Sequence, residues 1–275
     1  MQSGNPLDPL LLQVLAVKEE VESVPGFVTD PVGEAKMNPL PGLIHKYEGR
    51  VLLTLTTACA INCRYCFRRH FPYQNNNPGR SGWQPVLDYI RQDSSIHEVI
   101  LSGGDPLLAA DAILGELIAQ LDAIPQLTTL RFHTRIPVVL PERINTALLD
   151  LLSTTRLQKV IVLHSNHAQE LDNNVAQACV ALKQVSCHLL NQSVLLKGIN
   201  NNVATLVALS ERLFACGVLP YYLHLLDKVA GAAHFDLPEE SALTLYRELQ
   251  GRLPGYLLPR LAREVAGKAS KTILI

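Results

Sequence analysis

The sequence predicts an α/β fold, a partial (β/α)6 barrel preceded by an N-terminal arm of helix and loop. From about residue 50 onward, short apolar runs typical of strands alternate with longer amphipathic patterns typical of helices. From the third run onward the strands begin about 30 residues apart, which is the length of one strand, one helix and two turns. Repeated units of this kind give parallel strands joined by right-handed crossovers.

The strands are nearly continuous apolar runs, which is typical of parallel strands covered on both faces. They are predicted over residues 51–56, 98–102, 129–134, 159–164, 188–195 and 219–225. Six units rather than eight favour an open or partial barrel over a closed eight-stranded one. A flavodoxin-like open sheet is the alternative architecture.

Helices are predicted where apolar residues recur at helical spacing between the strands. The segments with this pattern are residues 111–121, 143–152, 168–183, 204–215 and 239–249. Residues 1–46 are rich in Pro and Gly and contain one predicted helix near residues 9–21, so we interpret them as an arm that wraps around a barrel. The barrel is assigned to residues 47–258 and a separate C-terminal segment to residues 259–275.

Composition excludes several classes of partner. The 275 residues are 48% hydrophobic and 18% charged, with a formal net charge of −1, so neither nucleic acid nor a membrane is expected as a main partner. The apolar runs are far too short to span a bilayer. With six cysteines and no signal peptide at its start, the chain is expected to be cytoplasmic, with reduced thiols rather than a disulfide scaffold.

Three cysteines, Cys59, Cys63 and Cys66, follow the first predicted strand in a C-x3-C-x2-C pattern. Three thiolates on one loop are suited to a 4Fe-4S cluster in which one iron keeps an open position for a ligand. An open position indicates chemistry, as it does at catalytic zinc. The alternative is a zinc site completed by a distant cysteine or histidine, namely Cys179, Cys187, Cys216 or His70. No second pair at zinc-finger spacing supports it, and the three later cysteines lie in apolar stretches typical of buried structural thiols.

The other residues with candidate chemistry are predicted to follow strand ends, where barrels place their active sites. They are Ser102, Gly103, Gly104, Asp105, Arg135, His164, Gln192 and Asp227. The two glycines of the Ser102–Asp105 run permit close approach of a ligand to the backbone, although Gly-Gly-Asp-Pro is also a good turn sequence by itself.

Together these motifs resemble the lysine 2,3-aminomutase family of radical S-adenosylmethionine enzymes. The resemblance runs in order from about residue 40 to the end, over residues 43–47, 63–69, 102–107, 135–141, 191–196, and Tyr221-Tyr222 followed by Asp227. Residues 67–73 and 221–224 are most similar to a bacterial subgroup that makes β-lysine for modification of elongation factor P. The resemblance implies the partial barrel of that superfamily, a 4Fe-4S cluster, S-adenosylmethionine and pyridoxal 5'-phosphate.

The resemblance also assigns roles to individual residues. Lys271, followed by a threonine, matches the lysine that carries pyridoxal phosphate, and Lys268 is its competitor because it follows a glycine. Arg68 matches the arginine that binds the substrate carboxylate, and Asp227 one of the acids that bind its side-chain ammonium. Glu264 takes the place of a second aspartate and is one methylene longer.

The remaining candidates are ligands of the cofactors. The Ser102–Asp105 run resembles the stretch that contacts the methionine amino group, and His164 is a further candidate for S-adenosylmethionine. Candidates for phosphate and other polar cofactor groups are Arg50, Arg135 and Gln192, and Tyr47 is a candidate for packing on the pyridine ring.

The implied activity is an isomerase reaction that moves the amino group of L-α-lysine from Cα to Cβ. The implied partners are free lysine, elongation factor P with its lysine ligase, and an electron donor such as flavodoxin. Two alternatives remain from the residues alone. One is a radical enzyme that acts on another substrate without pyridoxal phosphate, and the other is a non-catalytic metal-binding module.

Overall fold

A computed structural model describes residues 1–77 and 79–275 of the chain. In this part of the chain, nine strands form a single sheet whose spatial order is the order of the sequence. The strands are β1 (Leu43–Tyr47), β2 (Arg50–Thr56), β3 (Glu98–Gly103), β4 (Thr129–Thr134), β5 (Gln158–His164), β6 (Cys187–Val194), β7 (Leu219–His224), β8 (Arg260–Arg263) and β9 (Thr272–Ile273). Strands β2 to β8 pair in parallel, whereas β1 and β9 pair antiparallel at the two edges.

The order decides between the two predicted architectures. A sheet that grows in one direction throughout is that of a barrel, because a flavodoxin-like sheet reverses its strand order. The partial barrel is therefore confirmed, and each of the six predicted strands is present with ends within one residue of the prediction. Strands β1, β8 and β9 were not predicted. They join residues of the arm and of the C-terminal segment to the barrel sheet, so we keep the three-part division of the chain only as a proposal.

The helices of the described residues are α1 (Pro9–Leu12), α2 (Trp83–Gln92), α3 (Asp111–Asp122), α4 (Ile136–Val139), α5 (Thr146–Thr154), α6 (Asn173–Gln184), α7 (Val203–Ala215) and α8 (Glu239–Gln250). Two start later than predicted, because Asn145 caps α5 and Asp172 caps α6 through their side chains. Helix α2 was missed, although Trp83, Val86, Leu87 and Ile90 are buried at helical spacing.

The predicted arm helix over residues 9–21 is wrong beyond its first turn. Asp8 caps α1 through the backbone N–H groups of Leu10 and Leu11, but the helix ends at Leu12. The next residue, Gln13, has a fully buried side chain whose amide donates to Glu170 Oε1 at 3.1 Å on the barrel. This tertiary contact fixes the arm to the barrel.

The two faces of the sheet differ in polarity. Alternate strand residues share a face, and one face is apolar, with Leu101, Phe132 and Ile161 fully buried beneath the helices. The inner face is polar, because strand pairing sets Thr54 beside Ser102 and Gln192 between His164 and Tyr222. The expectation of apolar strands on both faces is therefore wrong for the inner face. A polar interior is suited to polar ligands rather than to a packed core.

Candidate functional site

The cysteine loop follows β2 and is packed against the glycine turn that ends β3. Gly104 N–H donates to the Thr56 carbonyl at 2.7 Å, and Asp105 N–H donates to the Ala58 carbonyl at 2.8 Å. A Cβ added at Gly104 would lie only 2.1 Å from the Ala58 oxygen. The glycine run therefore forms the predicted turn, which packs against the loop that carries the cysteines, and its contact with a cofactor stays a prediction.

The three motif thiols lie on this one loop, with Cys59 exposed and Cys63 and Cys66 half-buried. Burial and the neighbouring Cys63 raise the pKa of Cys66 to about 11. Ligation requires thiolates, and iron would supply the positive charge that stabilises them. Within residues 1–77 and 79–275, no group of three or more His, Cys, Asp or Glu side chains could hold a single metal ion. A tetrahedral zinc site requires such a compact group.

The three later cysteines are buried in the apolar layer outside the sheet, as predicted for structural thiols: Cys179, Cys187 and Cys216. The donor set of the loop fits a cluster, which spreads its thiolates over different irons.

Arg135, predicted to bind polar cofactor groups, is part of a buried network beside this loop. Its guanidinium donates to Cys63 Sγ, Gln13 Oε1 and Glu170 Oε2, each at 2.8 Å. The Asp105 carboxylate accepts hydrogen bonds from Thr134 Oγ1 at 2.6 Å and from the Arg135 backbone N–H at 2.7 Å. These two side chains join the ends of β3 and β4 to the cysteine loop, and their contacts with a cofactor stay predictions.

His164 lies at the end of β5 on the inner face, with Gln192 as its partner in β6. Both lie within strands rather than after them, which corrects the prediction that they follow strand ends. The His164 ring stacks on Tyr65 at a centroid distance of 5.6 Å. Burial and the positive charge of Arg135 lower the pKa of His164 to about 3, so the ring is neutral near pH 7. Its buried Nε2 has no hydrogen-bond partner among the described residues, and such an atom is usually paired when a site is complete.

Arg68 lies just after the last motif cysteine and is 8% exposed. Its Nε and Nη2 donate to Glu34 at 2.8 and 2.6 Å, and its Nη1 donates to Ser102 Oγ at 2.9 Å. The guanidinium lies 5.0 Å from the centre of the Phe67 ring. A cavity of about 370 Å³, a volume typical of small-molecule pockets, is lined by both Glu34 and Arg68. The predicted carboxylate-binding residue is therefore in a pocket, but it shares its donors with an acid of the arm.

A second cluster centres on Glu264, just after β8. Its carboxylate accepts a hydrogen bond from Lys271 Nζ, and also from Lys46 Nζ and Tyr47 Oη at 2.6 Å each. Lys271 directly precedes β9, whose Thr272 pairs with Arg263 of β8, whereas Lys46 and Tyr47 belong to β1 at the other edge of the sheet. Glu264 thus bridges the two edges of the partial barrel.

Two lysine ammonium groups share the single carboxylate of Glu264. Burial would raise the pKa of Glu264, but Lys271, Lys46 and Tyr47 hold it well below its usual range. The guanidinium of Arg50 lies 4.8 Å from the centre of the Tyr47 ring, which places both predicted cofactor ligands in this cluster. Lys268 is exposed, so the geometry favours Lys271 over its competitor.

Asp227 lies three residues after β7 and faces this cluster. Burial, together with the negative charge of Glu264, raises the pKa of Asp227 from 3.8 to about 7. The described residues supply no hydrogen bond to its carboxylate, although the positive charges of Lys271 and Lys46 lower the pKa in part. Asp227 is therefore a half-buried acid to which no side chain of the described residues donates a hydrogen bond.

Several residues of the site were missed from the sequence. They are Gln13, Glu34, Lys46, His133, Glu170 and His224. Burial lowers the pKa of both inner-face histidines, to about 3 for His224 and well below 6.5 for His133. The alternation of Arg131 and His133 with apolar residues in β4 was a signal for a polar inner face. The arm residues gave no local signal, because they act through contacts with distant parts of the chain.

Comparison with known proteins identifies the family. A family model described as a 4Fe-4S single cluster domain matches residues 47–135. L-lysine 2,3-aminomutase of Haemophilus influenzae is 51% identical over 273 residues, covering 99% of this chain and 81% of the relative. The Escherichia coli K12 enzyme of the same name is 50% identical over 274 residues, covering 100% and 80%. The chain belongs to the lysine 2,3-aminomutase family.

More distant comparisons agree with this assignment. The Clostridium subterminale L-lysine 2,3-aminomutase is 35% identical, covering 98% of this chain and 65% of the relative. A radical SAM methyltransferase from Sphaerobacter thermophilus has a TM-score of 0.54 at 16% identity, covering 80% of this chain and 68% of that one. A structure of anSMEcpe with bound AdoMet has a TM-score of 0.53 at 13% identity, covering 73% and 59%. These two structures show the shared fold. No helix in the described ranges is long and apolar enough to cross a membrane.

Proposed function

We propose that this member of the family is a radical S-adenosylmethionine isomerase that uses pyridoxal phosphate to convert L-α-lysine to β-lysine. The observation that carries the proposal is the set of charged anchors in the barrel. A guanidinium, Arg68, and two acids, Asp227 and Glu264, are buried or half-buried, and Lys271 lies against one of the acids. One cation and two anions match an amino acid with a second positive charge at its far end.

When bound, the 4Fe-4S cluster and S-adenosylmethionine supply a radical that removes hydrogen from the substrate, while pyridoxal phosphate supplies an aldehyde that holds its α-amine. Cys59, Cys63 and Cys66 would hold three irons. The Ser102–Asp105 run and His164, with its unpaired Nε2, would contact S-adenosylmethionine.

Lys271 would bind pyridoxal phosphate covalently. In the cluster around it, Tyr47 and Arg50 would contact the ring and phosphate, and Gln192 would offer its amide from the inner face. Lys271 Nζ donates a hydrogen bond to Glu264. When Lys271 is bonded to the cofactor, this ammonium group would no longer be present beside Glu264. The side-chain ammonium of the substrate would pair with Asp227 and Glu264, and Lys271 would be released once the aldehyde holds the substrate α-amine in its place.

At the other end, Arg68 would bind the carboxylate of the substrate. Arg68 at one end, and Asp227 with Glu264 at the other, would orient lysine between the cysteine loop and Lys271. The arm packed over the barrel would exclude water. Orientation of this kind is what the protein adds to radical chemistry.

We further propose that the β-lysine is used to modify elongation factor P through its lysine ligase, and that a donor such as flavodoxin reduces the cluster. Support comes from the likeness of residues 67–73 and 221–224 to the subgroup with that role. The cytoplasm, which keeps thiols reduced, would suit such a pathway. Deletion of the gene should leave elongation factor P without β-lysine, which mass spectrometry of the purified factor would detect.

The test of the proposed activity is anaerobic reconstitution with iron and sulfide, followed by assay of lysine with both cofactors. We expect β-lysine only when S-adenosylmethionine, reductant and pyridoxal phosphate are all present. Product formed without pyridoxal phosphate, or a reconstituted protein that cleaves S-adenosylmethionine but leaves lysine unchanged, would refute the proposal.

A further inference from the structure

Residues 28–37 of the arm form a strap over the substrate side of the barrel. The strap is fixed at one end by a parallel bridge in which Val28 N–H donates to the Lys228 carbonyl and Ala230 N–H donates to the Val28 carbonyl, each at 2.9 Å. Lys46 Nζ donates to the Val32 carbonyl at 3.0 Å. The strap is therefore attached beside Asp227 and to a lysine that also bonds Glu264.

The strap ends in a short turn that directs Glu34 at Arg68. The Asp30 carboxylate caps this turn, accepting hydrogen bonds from the backbone N–H groups of Glu34 at 3.0 Å and Ala35 at 3.1 Å. Gly33 precedes it with φ of +70°, a conformation that other residues rarely adopt. Glu34 itself is 7% exposed and makes the two bonds to Arg68 described above.

The hydrogen bonds of Arg68 to Glu34 and Ser102 leave some of its N–H donors unused. A guanidinium has five N–H donors. Glu34 accepts two of them and Ser102 accepts one, so two are left. Glu34 binds the edge formed by Nε and Nη2, Ser102 binds Nη1, and Phe67 packs nearby. The direction of the two remaining N–H groups, one on Nη1 and one on Nη2, is therefore fixed.

From this geometry we infer that Glu34 is a positioning residue that orients Arg68 to bind the α-carboxylate of the substrate with its two remaining donors. The inference rests on the proposed function, since it takes Arg68 to be the carboxylate-binding residue. Substrate and Glu34 share the guanidinium at the same time and do not compete for it. Glu34 thereby sets a preference for substrates that carry a free carboxylate.

The test compares L-lysine with L-lysinamide, which lacks the carboxylate. Binding of each is measured by calorimetry to the reconstituted holoenzyme without reductant, so no turnover occurs. We expect the wild-type protein to bind lysine at least about 30-fold more tightly, and Glu34→Gln to lose about tenfold of this preference, as for one hydrogen bond to a charged group. Glu34→Gln keeps the shape of the side chain but removes its charge and one of the two oxygens that accept hydrogen bonds from Arg68.

The matched control is Glu20→Gln. Glu20 is another arm glutamate, and its buried carboxylate pairs with Arg64 and Arg69 on either side of Arg68 in sequence. This variant weakens the same contact between arm and loop but leaves Arg68 untouched, so its ratio should stay within about twofold of the wild type.

Three results with the variants would overturn the inference. A Glu34→Gln protein that keeps the full preference shows that Glu34 does not orient Arg68. Tighter binding of lysine by Glu34→Gln shows that Glu34 competes with the substrate. An equal loss in Glu20→Gln shows general loosening of the arm. A wild-type protein without any preference would instead refute the proposed role of Arg68, and with it this inference, whereas failure to rearrange lysine in the activity assay bears on the proposed function alone.

Discussion

Replacement of Asp227 by asparagine should stabilise the cofactor-free protein while removing its activity on lysine. Asp227 has a pKa raised from 3.8 to about 7 by burial and by Glu264. Each pKa unit corresponds to about 1.36 kcal/mol, so ionisation of this carboxyl costs the folded state roughly 4 kcal/mol. Asparagine has nearly the same shape and cannot ionise, so it avoids the cost.

The direction of the pKa shift of Asp227 determines how the stability of the folded protein depends on pH. Because the folded-state pKa lies above the unfolded value, the folded protein binds the proton more tightly, and its stability falls as the pH rises from about 4 to about 7. The stability advantage of Asp227→Asn should therefore be about 1.5 kcal/mol at pH 5 and roughly 4 kcal/mol at pH 8. Urea denaturation at both pH values measures it.

The exposed residue Asp150 of α5 offers a control, since Asp150→Asn should change stability by less than about 0.5 kcal/mol. In the reconstituted enzyme, Asp227→Asn should lose turnover of lysine far more than binding of either cofactor. An Asp227→Asn protein that is less stable than the wild type at pH 8, or whose advantage does not shrink towards pH 5, would refute the reasoning that ionisation of this acid destabilises the folded protein.

Three further predictions concern the cofactors. Cys63→Ala should abolish cleavage of S-adenosylmethionine, measured by chromatography of 5′-deoxyadenosine. Replacement of the buried Cys216 by alanine should keep cleavage and lower the stability by about 1–3 kcal/mol through lost packing. Cleavage by Cys63→Ala would refute the cluster assignment. Lys271→Ala should lose the pyridoxal phosphate adduct trapped by borohydride and Lys268→Ala should keep it, and the opposite pattern would move the assignment to Lys268. Gly104→Ala should distort the cysteine loop, because its Cβ would overlap a backbone carbonyl there, and so lower the iron content after reconstitution; full iron loading would show that the close packing of turn and loop is not required.

Sequence periodicity was sufficient to predict the central strands of the barrel but not the strands at its edges. Strand β4 occupies the predicted residues 129–134, because its apolar residues and neighbouring turns give a local signal. Strands β8 and β9 have four and two residues, too few for any period to be seen. β8 forms because β7 offers a partner, and β9 because β8 does.

The residues of the candidate site likewise divide into those that the sequence predicts and those that it does not. The cysteine loop, Lys271 and Glu264 were found because their spacing along the chain matches that of a known family. Glu34 was not, since its contact with Arg68 joins residues 34 positions apart and depends on a capped turn and on the attachment of the arm. A contact of this kind is set by tertiary packing, for which the sequence alone has no periodic signal.

The most direct test of the proposed reaction follows the nitrogen atom itself. L-lysine labelled with ¹⁵N at the α-amine and ¹³C at C3 is incubated with the reconstituted enzyme, both cofactors and reductant, and the product is examined by NMR. We predict that a one-bond ¹⁵N–¹³C coupling appears at C3, since the amine moves from Cα to Cβ. Formation of 5′-deoxyadenosine while the nitrogen stays on C2 would contradict the assignment of this protein as a lysine 2,3-aminomutase.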